Sequence, residues 1–98
     1  MTHRNVASIH PGRVLLEDFL APRGISVAHL ANEIGVSAQR IYELVQGQRP
    51  LNSDLAHRLA HYFGMSERYW LDLQLRYDRD RIKERSATFQ SEHLRRAG

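Results

Sequence analysis

The chain has no cysteine among its 98 residues. That excludes a disulfide scaffold, a cysteine-ligated zinc finger and a thiol nucleophile. Long apolar runs are absent too: nothing approaches the roughly 18 to 20 residues needed to cross a bilayer. The N-terminal MTHRNVASIHPG lacks the continuous apolar core of a signal peptide, so a soluble cytoplasmic protein with no membrane partner is expected. A large charge excess is likewise missing, with 14 basic residues against 11 acidic ones. Nor is there a glycine-rich phosphate loop, a nucleophile elbow or an isolated carboxylate pair, and neither enzyme chemistry nor a cofactor is expected.

What the sequence does have is Ser26 to Gly47, SVAHLANEIGVSAQRIYELVQG. Val27, Leu30, Ala31 and Ile34 fall on one helical face, with Ser26 as N-cap and Gly35 as stop. Ser37 caps a second helix whose buried side is Ile41, Leu44 and Val45, and Gly47 ends it. Only Gly35, Val36 and Ser37 separate the two. A three-residue link containing glycine makes the helices cross steeply, which is the geometry of a DNA-binding helix-turn-helix. Val36 is expected to tuck under the corner.

The rest is ordered around that motif. At this length, with 42% hydrophobic residues, one small all-α domain over 1–98 is expected. Residues 1–9 form an arm, either a partner contact or a frayed terminus. The helix-turn-helix domain covers 10–78, and 79–98 are a charged helix end and tail. Pro11 starts the first helix, which buries Leu15, Leu16, Phe19 and Leu20 and is stopped by Pro22 and Gly24. Pro50 breaks the chain after the motif, and Asn52 caps a fourth helix, Ser53 to Phe63, burying Leu55, Leu59, Tyr62 and Phe63. Ser66 caps a fifth helix running to about Arg85, with a fraying tail from about Ala87. Its apolar set covers more than one face: Trp70, Leu73 and Tyr77 complete the core, and Tyr69, Leu71 and Leu75 are left over. That surplus serves either a wider core or a subunit interface, and an interface is the preferred reading. The stretch RYDRDRIKER reads as solvated helix.

The outward positions of the second helix of the motif nominate base readers. Gln39 can pair bidentately with adenine, Arg40 with guanine or with a phosphate, Glu43 can accept from cytosine, and Ala38 offers a methyl group to thymine. Tyr42, Gln46, Gln48, Arg49 and Asn52, together with Ser37, are placed for phosphate contacts. Charge lends little support, because residues 26–64 hold three basic and three acidic residues. His57 and His61 have the i, i+4 spacing of metal ligands. Arg58 stands where a zinc hydrolase needs glutamate, so no metal is expected.

Three stretches carry a family resemblance: HPGRVLLEDFLAPRGIS, LANEIGVSAQRIYELVQGQRPLN and LAHRLAHYFGMSERYWLDLQLRYD. Together they resemble the HigA (VapI-type) antitoxins of the Xre/Cro helix-turn-helix class, over about residues 9–78. The most specific parts are HPG before the first helix and WLDLQ in the fifth. The resemblance implies a five-helix, lambda-repressor-like fold with an extended C-terminal helix. It further implies a homodimer that binds a palindromic operator, represses its own operon and neutralises a HigB-type (RelE-like) mRNA-cleaving toxin. Base-reading positions of the family carry over onto Ser37, Ala38, Gln39, Arg40 and Glu43. Pro50 departs from the usual pattern of the loop. The alternative is a solitary Xre-type regulator without a toxin.

Overall fold

The computed structural model describes residues 9–97, with side chains through residue 86. The described residues form five helices and no strand. The arm expected over residues 1–9 lies, apart from Ile9, outside them.

Helix α1 is continuous over three stretches, Pro11–Val14, Leu15–Leu20 and Ala21–Arg23. His10 caps it: the ring Nδ1 accepts the Gly12 N–H at 2.9 Å. The middle stretch is wound as a π-helix, and the Ala21 N–H reaches back to the Leu16 carbonyl. This overturns the expectation that Pro22 stops the helix. Proline normally clashes with the carbonyl four residues back and leaves it unpaired. Here the wider turn relieves the clash, and the Arg23 guanidinium donates to the Asp18 and Phe19 carbonyls at 3.4 and 3.0 Å. Gly24, at φ 65°, is the actual stop. Leu15 and Leu20 are buried as expected, whereas Leu16 is 40% exposed, because the extra residue per π turn rotates the stripe.

Helices α2 (Val27–Ile34) and α3 (Ala38–Val45) follow the expected spacing. Ser26 Oγ accepts from the His29 N–H and Ser37 Oγ from the Arg40 N–H. Val27, Leu30, Ala31, Ile34, Val36, Ile41 and Leu44 are all buried. Asn52 caps helix α4 (Ser53–Phe63), its Oδ1 accepting the Leu55 N–H at 2.8 Å. Leu55 and Leu59 are buried with Ala56 and Ala60. Tyr62 and Phe63, expected inside, are half-buried at the edge of the core.

Helix α5 spans Glu67–Ala97, with Ser66 Oγ accepting the Arg68 N–H at 3.0 Å. It continues well past Arg85, so the expected fraying tail is helical. The sequence from Glu67 to Ala97 contains no glycine or proline, the residues that cost a helix most. Trp70 is fully buried and Leu73 nearly so. Phe19 joins the two ends of the chain here, its ring 4.9 Å from Trp70 and 5.0 Å from Phe63.

Sequence reasoning assigned no role to Gln74, which is buried. Its Oε1 accepts the Leu51 N–H at 2.7 Å, and its amide donates to Asp78 at 2.9 Å. The loop after α3 is thereby fastened to α5.

The His10 cap predicts a pH dependence of stability. Burial lowers its pKa from the ordinary 6.5, opposed by a hydrogen bond to the Arg49 carbonyl and by the charge of Asp78. The neutral ring is the form that caps α1, because a protonated Nδ1 has no lone pair for the Gly12 N–H. The native state thus binds a proton less readily than the unfolded chain. Stability is full above 6.5 and is lost as pH falls through that value toward the folded pKa. Melting temperature should drop between about pH 7.5 and about pH 5.5, and it should drop less in His10→Asn, whose cap does not titrate. Equal slopes for the two proteins would remove His10 as the cause.

Candidate nucleic-acid interface

The corner between α2 and α3 depends on two residues. Gly35 turns the chain at φ 73°, in the left-handed region. Arg58, reaching up from α4, donates through Nη1 to the Ile34 carbonyl at 2.6 Å and through Nε to both oxygens of Asp54 at 3.1 Å. The guanidinium thus satisfies the last carbonyl of α2 and fixes the turn to the core. Local spacing does not reveal this role for Arg58, because its two partners lie on different elements. The nearby His57 turns its Nδ1 to Glu67 Oε1 at 2.6 Å. Among the described residues, no group of three or more His, Asp or Glu is placed to hold a metal.

The far end of α3 is held by α1. A Cβ built on Gly12 would sit inside the shell of the Leu44 carbonyl and 2.8 Å from Val45 Cα. Only glycine lets the two backbones approach this closely. The HPG triplet thus acts through structure: His10 caps α1, Pro11 starts it and Gly12 receives α3.

With both ends fixed, α3 turns one face to solvent. Gln39, Tyr42 and Gln46 are exposed there, as is Gln48 in the loop that follows. Arg40 is half-exposed and, among the described residues, makes no ion pair. Ala38 is half-buried against the core, which limits how far its methyl group can reach outward. The Ser37 hydroxyl and the Asn52 side-chain oxygen already serve as caps, leaving the Ser37 O–H and the Asn52 amide as donors. Gln39, Glu43 and Arg49 are brought together: Arg49 contacts Glu43 Oε1 at 2.8 and 2.9 Å, and the Gln39 amide donates to Oε2 at 3.2 Å. Arg49 and, secondarily, Gln39 hold the Glu43 carboxyl below the usual range. The loop backbone is held as firmly, with the Gln48 N–H on the Glu43 carbonyl at 2.8 Å and the Gln74 anchor at Leu51.

The residues expected to form one interface on α5 do not lie together. Leu71 and Leu75 are 37% and 53% exposed on one face, and Ile82, at 60%, continues it. Tyr69 is exposed too, but two residues from Leu71 means about 200° around a helix. Its ring packs 5.3 Å from Trp70 and 6.0 Å from Phe19. Ile82, set in a charged stretch, was not nominated by the sequence reading; its spacing of 11 from Leu71 was the available signal.

A steep two-helix corner with a solvent-facing second helix, packed by three further helices, defines a helix-turn-helix domain. The chain belongs to the helix-turn-helix family, whose model matches residues 16–70. Within the family it is similar to the Xre-type HigA (VapI-type) antitoxins. The Pseudomonas aeruginosa antitoxin HigA, solved with the higBA promoter, superposes with TM-score 0.80 at 37% identity, over 88% of this chain and 92% of that one. A HigA-family addiction-module antidote from Coxiella burnetii superposes with TM-score 0.78 at 30% identity, over 87% and 92%. Virulence-associated protein I of Dichelobacter nodosus is 45% identical over 71 residues, covering 72% of this chain and 66% of that protein. The match thus spans a little under two thirds of that curated relative.

Proposed function

We propose that the chain is a sequence-specific DNA-binding repressor, working as a homodimer in the cytoplasm, and the antitoxin of a toxin-antitoxin pair. The observation that carries the DNA reading is the exposed face of α3, held at its far end by Gly12 and preceded by a turn that Arg58 ties to the core. A rigid helix projecting Gln39 and Arg40 is the arrangement that reads base edges in the major groove. Ser37 and Ala38 border those two as further base contacts, and Glu43 stands between Gln39 and Arg49. Tyr42, Gln46, Gln48, Arg49 and Asn52 lie along the flank, where phosphates pass. The similar HigA of Pseudomonas aeruginosa was solved with its promoter, which supports an operator of the chain's own operon as the target. By the same likeness, the protein partner is a HigB-type toxin, an mRNA-cleaving ribonuclease.

Gln39→Ala and Arg40→Ala should each lower affinity for DNA upstream of the chain's own gene by about tenfold or more, with a far smaller effect on random DNA. Equal losses on both would remove these residues from base readout. Co-expression with the adjacent gene and a pull-down tests the partner, and a chain that recovers no ribonuclease is a solitary regulator.

A further inference from the structure

Of the three arginines within residues 26–64, two are held in ion pairs inside the domain. Arg58 is taken by Asp54, and Arg49 by Glu43. The second pair lies on the proposed DNA face itself. Arg49 directs two nitrogens, Nη2 and Nε, at one oxygen of Glu43, at 2.8 and 2.9 Å. The other oxygen holds the Gln39 amide. Glu43 therefore occupies, in the free protein, both a cation of the face and one of its candidate base-reading groups.

We propose that Glu43 is a selectivity residue that acts by positioning: it withholds the Arg49 charge from arbitrary DNA and keeps the Gln39 amide in one orientation. The inference rests on the DNA-binding reading above. For Arg49 to reach a phosphate, it must leave one charge-assisted pair for another and expose a carboxylate beside the backbone. On a random duplex this exchange gains little. On the operator, base contacts made by the same face offset the opening. The closed pair thus lowers non-specific affinity more than specific affinity: the Arg49 charge is held in reserve. Glu43 stays ionised through the neutral range, since Arg49 and Gln39 both favour its charged form.

The test measures binding by fluorescence anisotropy over a range of salt, on DNA upstream of the chain's own gene and on a scrambled duplex of equal length. In Glu43→Gln, affinity for the scrambled duplex should rise roughly three- to tenfold, and the slope of log K against log salt should steepen by about 0.9, the value of one phosphate contact. Adding Arg49→Met to Glu43→Gln should return both quantities to wild-type values. A Glu43→Gln protein with the wild-type slope overturns the inference, as does a loss confined to one base pair of the upstream site, which is the signature of a direct base reader. A wild-type chain that binds neither duplex overturns the DNA-binding reading and this inference with it. A wild-type chain that binds, beside a variant that does not change, overturns the inference alone.

Discussion

Gly12→Ala should destabilise the domain by about 3 kcal/mol or more, the upper end of what overpacking costs. In a domain of this size that amounts to a fall in melting temperature on the order of 15 °C. Elsewhere in a helix the same substitution usually stabilises, by up to about 1 kcal/mol, because alanine is the better helix former. The sign reverses here because the added methyl group meets backbone, the Leu44 carbonyl and Val45 Cα, not a side chain that could turn aside. Relief requires α1 and α3 to separate, which moves the outward face of α3 relative to the rest of the domain. Operator affinity should therefore fall further than the loss of folded protein explains. A melting temperature within about 2 °C of wild type would show that the two backbones are not in contact.

The second large effect is expected on α5. Leu71→Glu combined with Leu75→Glu should leave the fold intact, because both side chains are already largely solvent-exposed. Light scattering should then report a monomer. Operator affinity should fall by about 100-fold or more, the range over which linking two binding modules raises affinity. Ile82 lies on the same face, and Ile82→Glu should weaken the dimer in the same direction. Tyr69→Ala should not dissociate the dimer, since Tyr69 points to the other side of the helix and packs on Phe19 and Trp70. An unchanged mass for the double variant would remove this face from the proposed dimer contact.

The parts of this fold that were legible in the sequence are those written in local spacing. The faces of α2 and α3, the caps Ser26, Ser37 and Asn52 and the Gly35 turn each depend on residues within four positions of one another, the range over which helical periodicity and capping act. What escaped the reading depends on partners distant in sequence or on backbone geometry. Pro22 lies inside α1 because a π-helical stretch of six residues precedes it and Arg23 serves the freed carbonyls. Gln74 is polar in an apolar stripe, and its reason for burial is a backbone N–H 23 positions away. Arg58 looked like an interruption of a metal motif, yet its partner is the end of α2, 24 positions back.

The candidate site divides in the same way. Which residues face outward from α3 follows from the helical period, and the structure exposes Gln39, Tyr42 and Gln46 accordingly. How those residues engage one another does not follow from it. The Glu43–Arg49 pair runs from the helix to the loop beyond its C-terminus, a spacing of six that no single helix brings together. That pair converts a set of separate candidate contacts into one connected group. Of the three arginines within residues 26–64, it leaves only Arg40 outside an ion pair among the described residues.

Hydroxyl-radical footprinting on DNA upstream of the chain's own gene is the most direct test of a dimer that sets two copies of α3 into successive major grooves. The expected result is two protected patches related by a two-fold axis, with centres about 34 Å, one helical turn, apart. A single patch, or uniform protection without a two-fold axis, would contradict it.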